Sequence, residues 1–130
     1  MRLRDEFRTN DDFRHILTFL DEYAACSDED EKAALAETFA GTVTQEMRVA
    51  FAMFLEDIAM AMKSGALKAV VANYSFGHYA ILCWENEPFW RDLGRDDPYW
   101  VALRYLVWRM KLHRKILKAA PWLIAFSLRV

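Results

Sequence analysis

Residues 43–63 read VTQEMRVAFAMFLEDIAMAMK, and this stretch decides the fold. At about 100° per residue, Val43, Met47, Phe51, Phe54, Leu55, Ile58 and Met62 fall within one arc of about 120°, the apolar stripe of a core-facing helix. Thr42 with Gln45 three residues later resembles a capping box that opens it, and Ser64-Gly65 closes it. Upstream, Thr9 or Asn10 caps a first helix, with Asp11 and Asp12 at the positive end of its dipole. Phe13, Ile16, Leu17 and Leu20 follow at i, i+3, i+4 and i+7. Ser27 before Asp28-Glu29-Asp30 starts a second, alanine-rich helix that Gly41 ends.

Downstream, a shorter helical stretch covers 66–73, and Ser75 reads as the cap of another running to about Glu85. Pro88 fits the first turn of a short helix over 88–93 that Gly94 ends. Asp97-Pro98 is a cap and first-turn pair opening a long helix over about 98–118. Pro121 interrupts it, and WLIAFSL after it reads as a last turn or an extended strap. The expectation is one all-α domain over 1–130, a compact bundle of about five to seven helices with short connections.

Composition agrees with that architecture. The 130 residues hold four glycines and three prolines, too few turn punctuators for a multi-stranded sheet. The 28% charged fraction and the 19 aromatic residues argue against disorder. The longest uncharged run, Ala69–Trp84, includes Asn73, Ser75, Gly77 and His78 and is shorter than the roughly eighteen apolar residues of a spanning helix. The opening MRLRDEFRTNDDFR has no apolar leader, and Cys26 and Cys83 lack CxxC spacing. Two reduced, buried thiols in a cytoplasmic protein are expected.

Charge is polarised beneath a formal net of −2. Residues 1–31 carry ten Asp/Glu against Arg2, Arg4, Arg8 and Arg14. Residues 101–130 carry no acid and seven bases: Arg104, Arg109, Lys111, Arg114, Lys115, Lys118 and Arg129. The acidic first third speaks against a nucleic-acid binder.

Catalytic signatures are weak. His15, His78 and His113 each stand alone in a helix, without a second ligand three or four positions away. Ser75-x-x-His78 has no strand-turn-helix context for a nucleophile, and the isolated glycines build no phosphate cradle. No catalytic residue, metal ligand or cofactor is assigned, and the chain is read as not an enzyme. Glu56 is the one unusual carboxylate: it lies opposite the apolar arc, beside Ala52, Ala59 and Met60. Small neighbours indicate a close second helix there. A buried Glu paired with an Arg is the plain explanation, and a catalytic role for Glu56 or His78 is a distant alternative.

Phe-Leu-Glu-Asp-Ile-Ala at 54–59, followed by Lys63-Ser64-Gly65-Ala66-Leu67, resembles an uncharacterised bacterial and phage helical family of unknown function with an F-x-E-x-[IL]-A motif and a Gly turn. Cys83-Trp84-Glu85, Phe89-Trp90-Arg91, Tyr99-Trp100 and Leu103-x-x-Leu106 resemble its aromatic-rich second half, so the likeness spans about residues 43–110. It implies a helical bundle centred on the 43–63 helix and a bacterial or phage setting, and supplies no activity. Members of that family often carry an N-terminal membrane anchor, and the polar opening of this sequence is not expected to form one.

One surface stands out. Trp100, Arg104, Trp108, Lys111 and Lys115 follow an i, i+4, i+8, i+11, i+15 row on the last long helix, extended by Lys118 and by Trp122 after Pro121. In one reading the tryptophans are core and the bases a solvated face, partly neutralised by the acidic first helices. In another the row binds an acidic protein partner, since Trp and Arg are the residue types enriched in binding hot spots. In a third, residues 101–130 lie on an anionic membrane surface. The reading adopted is a non-catalytic interaction protein, an adaptor or inhibitor working through this aromatic-basic face, with peripheral membrane binding as the alternative. The Met- and Phe-rich stripes leave a homodimer seam open as well.

Overall fold

The computed structural model describes residues 2–120, apart from the side chains of Arg2, Leu3, Arg4 and Arg8. The chain is an all-α bundle. Its helices are α1 (Arg2–Thr9), α2 (Asp11–Ala25), α3 (Glu29–Thr42), α4 (Gln45–Lys63), α5 (Ala69–Ala72), α6 (His78–Glu85) and α7 (Val101–Ala119). A π-helical turn, Asn73–Gly77, joins α5 to α6, and 3₁₀ turns occupy Pro88–Trp90 and Pro98–Trp100. The expected strap after Pro121, with Trp122, lies outside the described residues.

α4 is the axis. Phe51, Phe54, Leu55, Ile58 and Met62 are buried as the stripe requires, and Ala52 and Ala59 are buried too. α4 is therefore covered on two sides: α2 lies on one, and α7, its most extensive neighbour, on the other. Burying the small side also lets the backbones approach closely. Phe7 of α1 completes an aromatic cluster with Phe54 at 5.5 Å and Phe76 at 5.2 Å, and Phe13 packs edge-on to Phe51 at 5.2 Å.

Several helix starts differ from those read off the sequence. Thr44, not Thr42, caps α4: its Oγ1 accepts from the Met47 N–H at 3.2 Å. Thr42 ends α3, where its hydroxyl donates to the Thr38 carbonyl. The reason is Val43, whose burial in the core forces the break between helices onto that residue. Asp28, one place beyond Ser27, caps α3 by accepting from Asp30 N and Glu31 N. Asn10 caps α2 through Phe13 N. Ser75 does not open α6; it sits inside the π turn of a continuous helical run from Ala69 to Glu85. Gly77 permits this, because a Cβ there would lie 2.6 Å from Asn73 Oδ1 and 3.2 Å from Met110 Sδ.

The segment between α6 and α7 is pinned by backbone carbonyls. Arg48 of α4 donates to Phe89 O at 2.6 Å and Arg91 O at 2.8 Å. The Trp90 indole donates to Cys83 O, and buried Asn86 accepts from Phe89 N. Asp97 accepts from Tyr99 N, as a cap before Pro98 should. Cys83 is fully buried, whereas Cys26 is only half-buried, which corrects the expectation of two buried thiols.

Candidate functional site

α7 has two faces set by its period. Ala102, Leu103, Leu106, Val107 and Met110 are buried against α4 and α6. Arg104, Trp108, Lys111, Lys115 and Lys118 are exposed on the other face, so this part of the expected row shares one surface. Trp108 is 58% exposed, an unusual state for the side chain with the most to gain from burial.

Trp100 does not belong to that surface. It is 4% exposed, with its ring 5.4 Å from Trp90 and 4.8 Å from Tyr99. Trp90 in turn meets Trp84 at 5.6 Å. The cause is local: Trp100 closes the 3₁₀ turn that precedes α7, so its direction does not continue the α-helical count. Trp122, the last member of the expected row, is outside the described residues.

Around Trp108 lies a shallow apolar depression formed with Val101, Arg104 and Tyr105. Tyr105 and Trp108 rings are 6.2 Å apart, and Lys63 from the end of α4 holds its ammonium 4.7 Å over Tyr105. Arg104 lies 5.8 Å from the Trp84 ring centre and reaches the Asp96 carbonyl at 3.4 Å. Val101, Tyr105 and Lys63 were not in the expected row. The i, i+3 spacing of Tyr105 and Trp108 could have flagged the tyrosine, but nothing local connects Lys63 to it.

Among the described residues, the charges of this face are largely uncompensated. Lys111 pairs with Glu85 of α6 at 3.1 Å. Among the described residues, no carboxylate of α1, α2 or α3 lies within ion-pair distance of an α7 base. α7 packs on α4 and α6, while the acidic α3 packs chiefly on α2. The two charged ends of the sequence thus occupy different parts of the bundle. His113, half-buried on α7, is held below the usual imidazole range by burial and then by the neighbouring Arg109 charge.

Glu56 sits in the α4–α7 seam, as its small neighbours implied, but its partner is not an arginine. Its carboxylate lies against the backbone N–H of Leu103 in the first turn of α7, and its Oε1 is buried without a hydrogen-bond partner. Burial holds the carboxyl above the usual carboxylate range, opposed by the Leu103 N–H, raised further by Asp57 and opposed again by Lys63. A carboxylate there can satisfy one of the orphan amides at a helix start that has no side-chain cap of its own.

His78 stands elsewhere, with its Nε2 3.5 Å from Asp21 Oδ1. Tyr79 donates its hydroxyl to the other Asp21 oxygen at 2.8 Å, joining α6 to α2. Burial and then Asp21 raise the Tyr79 phenol above its usual range. Burial drives the Cys83 thiol well up, away from nucleophilic behaviour. Among the described residues no three His, Cys, Asp or Glu side chains converge as a metal site needs, and no helix is long and apolar enough to cross a membrane.

Comparison of the chain with family models, with curated proteins and with solved structures gives no match.

Proposed function

We propose that this chain is a non-catalytic protein-binding module, a small adaptor or inhibitor, that occupies an acidic patch of a partner with the outer face of α7. The observation that carries the reading is Trp108, 58% exposed and set among Arg104, Lys111, Lys115 and Lys118. A large, stiff aromatic ringed by bases supplies contact area at low entropic cost, with charge for steering and register. Among the described residues Lys111 is the one base of this group with an internal carboxylate, which leaves the charge of the others available to a partner.

The test is affinity capture by the tagged chain from a lysate of the organism that encodes it, followed by reconstitution with the purified captured protein. Trp108→Ala weakens the reconstituted complex by about thirtyfold or more if it anchors the interface. Lys115→Glu slows association and steepens nothing else. Equal affinity for wild type and both variants refutes the reading.

Exposed Ile116 and Leu117, between Lys115 and Lys118, favour a second reading in which the end of α7 lies on an anionic lipid surface. Flotation with vesicles containing phosphatidylserine separates the two. Lipid binding collapses under reversal of Lys115 and Lys118 or in high salt, while an indole-anchored protein contact weakens less.

A further inference from the structure

Resting on the reading of α7 as a protein-binding face, the molecule also carries an apolar surface of complementary charge. Between α2 and α3 runs an open apolar groove of about 350 Å³. Phe19 and Phe39, stacked at 3.9 Å, form its floor, and Leu35 and Val43 help to line it. A second hollow shares Leu35 and Thr38 and continues the apolar strip along α3. Glu22 lines the groove together with Arg14 and His15, Glu31 lines the hollow, and both glutamates are exposed. Arg14, at the groove, is held by Asp11 at 3.6 Å. The Lys32 ammonium is turned onto the Tyr23 ring at 5.3 Å.

With Arg14 paired to Asp11, this apolar groove keeps Glu22 and Glu31 as carboxylates free of ion pairs among the described residues, on a different part of the bundle from the exposed Trp108 and its flanking bases. No ion pair joins the two within one molecule among the described residues. We propose that the partner of the α7 face is a second copy of this chain, whose α2–α3 groove receives Trp108 while Glu22 and Glu31 meet the bases that flank it. When both contacts form at once between two copies the interface is isologous and closes as a dimer; a single contact is heterologous and runs on into a ring or a filament.

The experiment uses the full chain in sedimentation velocity across a concentration series. Wild type gives a mass above 15.3 kDa that grows with concentration at low salt. Near 1 M salt, where the Debye length is about 3 Å, the mass falls only in part, because the seated indole holds the contact after its charges are screened. Two variants separate the surfaces. Trp108→Ala removes the indole, and Thr38→Arg places a long cation in the hollow at an exposed helical position that the core does not use. Each alone is monomeric. Mixed in equal amounts they form a one-to-one complex, because each retains the surface that the other has lost.

A wild type monomeric throughout, association that survives either variant, or a mixture that stays monomeric overturns the proposal. Failure of this inference and failure of the α7 reading give different patterns. A monomeric wild type whose reconstituted partner is lost with Trp108→Ala overturns self-association and leaves the α7 face standing. A Trp108→Ala chain indifferent in both assays overturns both. Vesicle binding by a monomeric wild type that Trp108→Ala abolishes overturns self-association in favour of lipid.

Discussion

Replacing Phe39 with alanine tests how the acidic side of the bundle is held. α3 runs from Glu29 to Thr42 and buries a single side chain, Phe39. That ring stacks on Phe19 at 3.9 Å, and Leu35 adds only a half-buried contact. Truncating a buried phenylalanine costs about 3–5 kcal/mol, and a helix of this length has little stability alone in water. With its anchor gone, α3 should open as a local unit while α4 and α7 stay folded, since neither depends on Phe39 for its own buried stripe.

Native-state hydrogen exchange reads this directly. A loss of about 3–5 kcal/mol lowers protection of the α3 amides by about a hundredfold to a few thousandfold, at 1.4 kcal/mol per decade. Amides of α4 and α7 should keep their wild-type protection. Loss of protection in all three helices by the same factor would mean that α3 is part of the global cooperative unit, and the reasoning would be wrong. Unchanged α3 protection would equally refute it, by showing that its alanine-rich face holds the helix without the ring.

The two tryptophans of the expected row should behave oppositely. Trp100→Ala, in the Trp84–Trp90–Trp100 stack, lowers stability by about 3–5 kcal/mol, and Trp108→Ala stays within about 0.5 kcal/mol, both measured as urea midpoints. Glu56→Gln should change how stability depends on pH. Because burial raises the folded carboxyl above its unfolded value, its contribution is complete below the ordinary glutamate range and is lost as pH rises through the raised value. Wild type should therefore lose stability relative to the glutamine variant as pH rises above the ordinary glutamate range, and parallel curves would refute the burial argument. Arg48→Met leaves the Phe89 and Arg91 carbonyls without their charged donor. It should cost about 1.5–3 kcal/mol in chemical denaturation and raise exchange in residues 88–93.

The all-α class and the position of α4 were legible because a long apolar stripe needs no tertiary knowledge to be recognised. α1 was not, because its described core contribution is one side chain, Phe7, and what that ring gains comes from Phe51, Phe54 and Phe76 on distant helices. Caps failed by one or two residues for a related reason. Thr42 and Thr44 are equivalent hydrogen-bonding residues, as Ser27 and Asp28 nearly are, and the choice between the threonines was made by where buried Val43 had to point. At 73–77 the polar and glycine residues read as a break. The chain instead widens into a π turn, with Gly77 leaving room for Asn73 and for Met110 of α7.

The candidate face shows where such counting holds and where it breaks. From Arg104 to Lys118 every step lies inside one helix, so the i+4, i+3 rhythm transfers directly to a shared exposed surface. From Trp100 to Arg104 the count crosses from a 3₁₀ turn, with about 120° per residue, into an α-helix with about 100°. A cap pair such as Asp97-Pro98 marks where the chain begins to coil, not where the α-helical phase begins. That distinction turned Trp100 toward Trp90 and left Trp108 outward. A sequence reading that started the count at Val101 would have kept Arg104, Trp108, Lys111, Lys115 and Lys118 and dropped Trp100. It would still have missed Lys63 and the acidic groove of α2 and α3, because both depend on how separate helices pack.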